Sequence, residues 1–253
     1  NDKHYKTITS FQNGLAIVEE IIDKDKLNRH IIDTKGNLFK LDENLDPIVI
    51  SDGLIKAAVK DEPVTVFLDL KGNEVFSFNR PSDDVLWFSE GLFCFKNDKG
   101  KYGFHNSDEA EVIPPIYDFS FEFIDGLAKV RLDNGNRSFI NKQGELINDK
   151  GWNFCGDFHE GLCSVKDGRD HGFIDKNGEF QITIALPGLQ DHWFSEGLCA
   201  LEISEFEGPY GFINRAGVFV VQPQYGLLYN FSEGLGGAYT ESGYGFVKNP
   251  LLS

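Results

Sequence analysis

The stretch Phe194–Tyr225, FSEGLCALEISEFEGPYGFINRAGVFVVQPQY, decides the fold, because its parts recur in order along the chain. Its Gly-Leu dipeptide returns at Gly14, Gly53, Gly91, Gly126, Gly161, Gly197 and Gly234. Successive spacings are 39, 38, 35, 35, 36 and 37, so seven copies near a 36-residue period account for almost all 253 residues. A period of this length marks one supersecondary unit that cannot bury its apolar face alone and must stack on its neighbours. Three residues before the Gly stands Phe11, Phe88, Phe123, Phe158, Phe194 or Phe231, with Ile50 in the second copy. Directly before it stands an acid, Asp52, Glu90, Asp125, Glu160, Glu196 or Glu233, with Asn13 in the first.

A second block follows each Gly. It reads Gly-Phe-Ile-Asp at Gly172–Asp175 and Gly-Phe-Ile-Asn at Gly211–Asn214, with weaker copies at His30, Val66, Gly103, Ser138 and Gly245. A turn ending in Gly36, Gly72, Gly144, Gly178 or Gly217 comes next, and then an apolar run into proline, as in Val112–Asp118 and Val220–Tyr225. Gly126–Leu132 alternates apolar and polar residues, the mark of a half-buried strand. Asp133-Asn134-Gly135-Asn136 is a turn, Ser138–Asn141 a second strand, and Glu145-Leu146-Ile147 the start of a third. No stretch has a helical period with caps at both ends. These signals predict an all-β chain of about seven three-stranded meanders.

The copies are expected near residues 5–43, 44–81, 82–116, 117–151, 152–187, 188–224 and 225–253 of one repeat domain. The meanders are expected to stack as an open array, with a closed seven-bladed β-propeller-like ring as the alternative.

Phe-Ser-Glu-Gly-Leu, then an aromatic-Gly-Phe-Ile-Asp-Lys-x-Gly block, then Val-Ile-Pro-Pro-x-Tyr-Asp, resembles the WG (KWG) β-repeat family of bacterial proteins. The tryptophan of that family's second block is Tyr102, Tyr210, Tyr244 or His171 here, and copies one, two and four lack it. The resemblance implies a bacterial source, variable copy number and an interaction or scaffold module rather than an activity.

Composition narrows the partners. Lys and Arg total 24 against 40 Asp and Glu, a formal net charge of −16. Such a surface repels phosphate backbones and anionic membranes and favours a basic partner. No apolar run is long enough for a membrane span. The chain contains no Met, so trimming at its start is expected. Both a bacterial cytoplasm and export after loss of a signal are compatible with that.

The periodic acid invites a cation ladder. Calcium, however, needs several oxygens converging on one point, usually in dense Asp/Asn runs, which are missing. The expected role is a carboxylate accepting backbone N–H bonds at the turn before each strand. Cys163 and Cys199 fall where Ala16 and Ala128 stand in other copies, and Cys94 falls one position later, so they read as small core residues. Cys155 and Cys163 lack zinc spacing. Among the histidines, His171 holds the repeat aromatic's place and His159 the serine's. Trp152 stands six residues before Phe158, as Tyr117 stands before Phe123, and is expected to pack between copies.

No Gly-x-Ser-x-Gly, phosphate-binding glycine loop or His-Glu-x-x-His occurs. The expectation is therefore a non-enzymatic scaffold with no cofactor and no bound metal, mediating contact with another, possibly basic, protein. A glycan- or cell-envelope-binding module is the alternative. The candidate contact residues are Trp87, Trp193 and His192. Alternation turns both tryptophans away from their core neighbours Phe88 and Phe194, and exposed Trp is a common anchor for partners.

Overall fold

In a computed structural model the chain is all β. The structure describes residues 5–23, 26–168, 170–184, 192–204 and 208–252, and these contain no helix. Seven antiparallel sheets follow one another along the chain. The first holds β1 (Tyr5–Ile8), β2 (Leu15–Asp23), β3 (Lys26–Asp33) and β4 (Leu38–Phe39). The second holds β5 (Leu45–Ser51), β6 (Leu54–Val59), β7 (Thr65–Asp69) and β8 (Glu74–Phe78). The third holds β9 (Val85–Ser89), β10 (Leu92–Lys96), β11 (Tyr102–His105) and β12 (Glu111–Tyr117), and the fourth β13 (Phe119–Ile124), β14 (Leu127–Arg131) and β15 (Arg137–Asn141). The fifth holds β16 (Phe154–His159), β17 (Leu162–Asp167), β18 (Asp170–Ile174) and β19 (Phe180–Ile184). The sixth holds β20 (Leu198–Glu202), β21 (Tyr210–Asn214) and β22 (Phe219–Tyr225), and the seventh β23 (Leu227–Ser232), β24 (Leu235–Thr240) and β25 (Gly243–Lys248).

Four of these sheets have one strand more than the sequence pattern predicts. The extra strand is the segment before Gly-Leu, such as β9, whose Ser89 pairs with Leu92. The same two-residue hairpin joins Ser51 to Leu54, His159 to Leu162 and Ser232 to Leu235. Both loop residues are left-handed: the acids and Asn13 have φ between 47° and 54°, and the glycines between 75° and 86°. That is the turn whose twist matches paired strands, and Asn-Gly, kept at Asn13-Gly14, is its preferred sequence. In the fourth copy the expected strand from Glu145 is reduced to single bridges, Ile140 with Leu146 and Arg137 with Trp152.

By contact the chain divides into two compact units, Asn1–Ala128 with Lys142–Gly144, and Lys129–Asn141 with Glu145–Ser253. Within each, the core is a series of sheet-to-sheet interfaces. In the first unit Leu15, Ile17 and Ile31 meet Ile50, Ile55, Val66 and Leu68, and Phe67 and Phe78 meet Val85 and Phe93. The Phe93 ring centroid lies 4.5–5.1 Å from those of Phe67, Phe76, Phe78 and Phe88, in the range of favourable aromatic pairs. In the second unit Leu162, Phe173 and Ile182 meet Phe194, Cys199 and Ile213, and Phe212 meets Phe231 at 4.4 Å.

A sheet with neighbours on both sides buries both faces. Hence β10, β17 and β20 open with four consecutive buried residues, rather than the half-buried alternation expected from Gly126–Leu132. The cysteines follow from this: all four are buried. Burial pushes the Cys94 and Cys155 thiols up to about 12 and raises that of Cys199 as well. Trp152 is buried, as its place in the repeat predicts, whereas Phe11 at the first copy's Phe position is exposed.

One buried cation joins two sheets. Lys56 on β6 is 6% exposed. Its ammonium donates to the carbonyls of Ser82 (2.8 Å), Leu86 (3.3 Å) and Val85 in the next copy. Burial lowers its pKa to about 8, with Asp83 opposing. Between pH 8 and about 10.5 the unfolded chain keeps a proton that the folded state has released, so stability rises with pH across that window, by about 1–3 kcal/mol. In chemical denaturation at pH 8 and pH 10, Lys56→Met is expected to lose this rise relative to the wild type. Parallel profiles for the two proteins would show that Lys56 does not titrate there.

Candidate functional site

The periodic acid and the periodic serine form two rows of bonds between copies. Glu90 accepts the Gly126 N–H with both oxygens at 3.1 Å. Glu196 accepts that of Gly234 at 3.0 and 3.2 Å, and Glu160 that of Gly197 at 3.0 and 3.4 Å. The shorter Asp52 reaches the N–H of Glu90 at 2.7 Å. Each carboxylate thus accepts from the hairpin turn of the following copy, where its own turn was expected to supply the donor. The serine before the acid donates to the carbonyl of the next copy's Phe or its equivalent: Ser51 to Phe88 (3.4 Å), Ser89 to Phe123, and Ser195 to Phe231 (2.7 Å).

A third residue closes three of these turns, and the sequence reading missed it. Lys142 sits 3.0 Å from both the carboxylate and the carbonyl of Glu90. Arg215 donates to the Glu160 carbonyl at 2.8 Å, with its carboxylate 3.7 Å away. Asn249 donates to the Glu196 carbonyl at 3.1 Å. All three stand one place after the last residue of the second block, a periodicity that was available in the sequence. Burial disfavours the Glu90 carboxylate, but Lys142 and the Gly126 N–H outweigh it and hold the group below its ordinary value. The periodic acids are therefore turn-to-turn fasteners. No group of three His, Cys, Asp or Glu able to hold a metal ion occurs among the described residues.

Where one copy departs from this pattern, an exposed aromatic pair appears. His159 stands in the serine's place and is exposed. Its ring lies 5.5 Å from that of Trp193 at an interplanar angle of 32°. Trp193 is 39% exposed while Phe194 beside it is 1% exposed, as alternation about the repeat Phe requires. His192 is half-buried next to it. Of the three sequence candidates the structure brings Trp193 and His192 together and adds His159. Trp87 lies on β9, and its side chain falls outside the described part of the structure. His171 is buried on β18.

The first unit also holds a cleft of about 250 Å³ lined by Arg29, His30, Phe39 and Lys60, among others. Three of its basic side chains have partners: Arg29 with Glu19 (3.3 Å) and Asp46 (3.2 Å), His30 with Glu20 (2.8 Å), and Lys60 with the Glu43 carbonyl (2.5 Å).

The two demands on Glu90 pull apart. Asparagine suits the left-handed turn better than glutamate, yet its neutral amide gives up the charge-assisted bonds to the Gly126 N–H and to Lys142. Glu90→Asn is expected to lower stability by about 1 kcal/mol at pH 7, because charge-assisted hydrogen bonds outweigh the turn preference. Because the folded pKa is depressed, this contribution is complete above the ordinary value and lost as pH falls through the folded one. The deficit should therefore shrink below about pH 4 in denaturant titrations. A variant more stable than the wild type at pH 7 would show that the local turn governs.

The family model for the WG containing repeat matches residues 102–135, 138–168 and 210–248. No curated protein matches the chain. Among solved structures, the computationally designed Ika8 protein is similar at 13% identity, over 96% of this chain and 83% of that one, with a TM-score of 0.53. BamB from Moraxella catarrhalis is similar at 11% identity over 92% and 78% of the two chains, TM-score 0.46. Hsv2 from Kluyveromyces marxianus is similar at 9% identity over 98% of each, TM-score 0.49. The likeness to Ika8, a β-propeller, is at that identity one of fold alone. The family model thus places the WG containing repeat in three segments of this chain, on a scaffold of β-propeller-like sheets.

Proposed function

We propose that this repeat scaffold is non-enzymatic and holds another protein through the Trp193 patch. The observation that carries the reading is the contrast between Trp193 and Phe194: one ring is fixed in the core while the next stays open to solvent. A large aromatic anchored beside a buried neighbour such as Phe194 contributes contact area at little cost in conformational entropy. His159 supports one side of the ring, and His192 adds a hydrogen-bonding group beside it. The net charge of −16 favours a basic partner and speeds its approach at low salt. The acids at the turns are engaged with the neighbouring copy, which argues against their use as acid–base catalysts.

Immobilised protein and its Trp193→Ala variant, exposed to native extract and washed at low and high salt, test the reading. A specific protein held by the wild type and reduced at least tenfold on Trp193→Ala is the expected result. Equal retention by both proteins removes Trp193 from the interface. Retained material that resists protease and yields to glycosidase would make the ligand a glycan.

A further inference from the structure

We infer that the cleft of the first unit takes a free aliphatic α-amino acid, held as its zwitterion. The cleft lies beside an unusually short strand. The outer strand of the first sheet, β4, has two residues, where β8 and β19 have five and β12 and β22 have seven. After Phe39 the chain leaves the sheet and closes a turn instead. There the Leu45 N–H donates to the Asp42 carbonyl (3.0 Å) and the Asn44 N–H to the Asp42 carboxylate (2.9 Å). The backbone N–H of Lys60, the residue after β6, holds this turn through the Asn44 carbonyl at 2.8 Å. Strand and turn both line the cleft, whose volume is about 250 Å³. At about 30 Å³ for each molecule of liquid water, that is room for roughly eight non-hydrogen atoms. It suits a single amino acid and is too small for a peptide or a nucleotide.

The lining combines an apolar part with charges of both signs. Ile31 is buried in the core of the first unit, and half-buried Phe39 and Leu45 pack against that core. An aliphatic side chain set against these three residues extends the same burial. Of the charges, Arg29 is taken by Glu19 and Asp46. Lys40 and Glu43 are both exposed, and neither side chain has an ion pair or hydrogen bond among the described residues. The Lys60 ammonium meets the Glu43 carbonyl, a dipole that leaves its charge unbalanced. A simple anion in the cleft would be drawn to Lys40 and Lys60 and repelled by Glu43, and a simple cation the reverse. A carboxylate and an ammonium on one carbon satisfy both signs at once, each through charge-assisted hydrogen bonds. The carboxylate goes to Lys40 and Lys60, the ammonium to Glu43, and the aliphatic chain to Ile31 and Phe39.

This site goes beyond the protein-binding reading and does not rest on Trp193. The probe is L-leucine, titrated into the whole protein by isothermal calorimetry. Two analogues are titrated beside it: 4-methylpentanoate, which lacks the ammonium, and 3-methylbutylamine, which lacks the carboxylate. Saturable leucine binding is expected, about tenfold tighter than that of either analogue. Lys40→Ala and Glu43→Gln should each weaken it about fivefold, and Trp193→Ala should leave it unchanged. Because both side chains are exposed and make no bond among the described residues, these two variants should melt with the wild type, so lost binding would not reflect unfolding. The inference is overturned by any of four results. These are no saturation with leucine, an analogue that binds as tightly as leucine, wild-type affinity in either cleft variant, or loss of binding on Trp193→Ala.

Discussion

Each sheet of this protein has three or four short strands and two faces to cover, which no isolated sheet of that size can do in water. The rest of the structure follows from that constraint. Burial is shared between successive copies, so the core lies between sheets, and the strands after each Gly-Leu carry apolar or small residues on both sides. Phe93 meets rings from two copies, and Cys94, Cys163 and Cys199 are buried on the equivalent strands. The carboxylates belong to the same logic. Apolar faces can slide, because the hydrophobic effect has no direction. A glutamate that spans from one hairpin turn to the next turn's N–H fixes how far one copy is displaced against its neighbour.

This arrangement also explains why an acid occupies a turn that prefers asparagine. Asn13 takes the same left-handed turn, at φ 50°, without a charge. Glu90, Glu160 and Glu196 accept a left-handed φ near 50° and gain a bond across the interface. The cation or amide supplied by Lys142, Arg215 or Asn249 then neutralises or satisfies the exposed side of the group. Where the covering residue is absent, as at Asp52, the shorter acid still reaches a backbone N–H of the following turn.

Much of this was legible in the residues because every structural role is repeated. The Gly-Leu spacing located the sheets, the Asp- and Asn-led turns located the bends, and the place of Trp152 marked it as a packing residue. The segment before the acid was not recognised as a strand, because its alternation is broken by register shifts such as that between Cys155 and Phe158. The carboxylates were rightly read as backbone acceptors, but their donors lie some 36–38 residues away, and local turn chemistry cannot reveal a partner at that distance. Phe11, at the same repeat position, is exposed, which the residue pattern does not distinguish from its buried counterparts.

Repetition makes exceptions informative in a way that a single-copy fold does not. When a serine donates to the same carbonyl in copy after copy, a histidine in its place that instead lies against an exposed tryptophan departs from a role whose structural purpose is known. That departure falls in the second unit and is not explained by packing within it: Phe194 fills the place the repeat assigns to its core, while the ring of Trp193 beside it stays open to solvent.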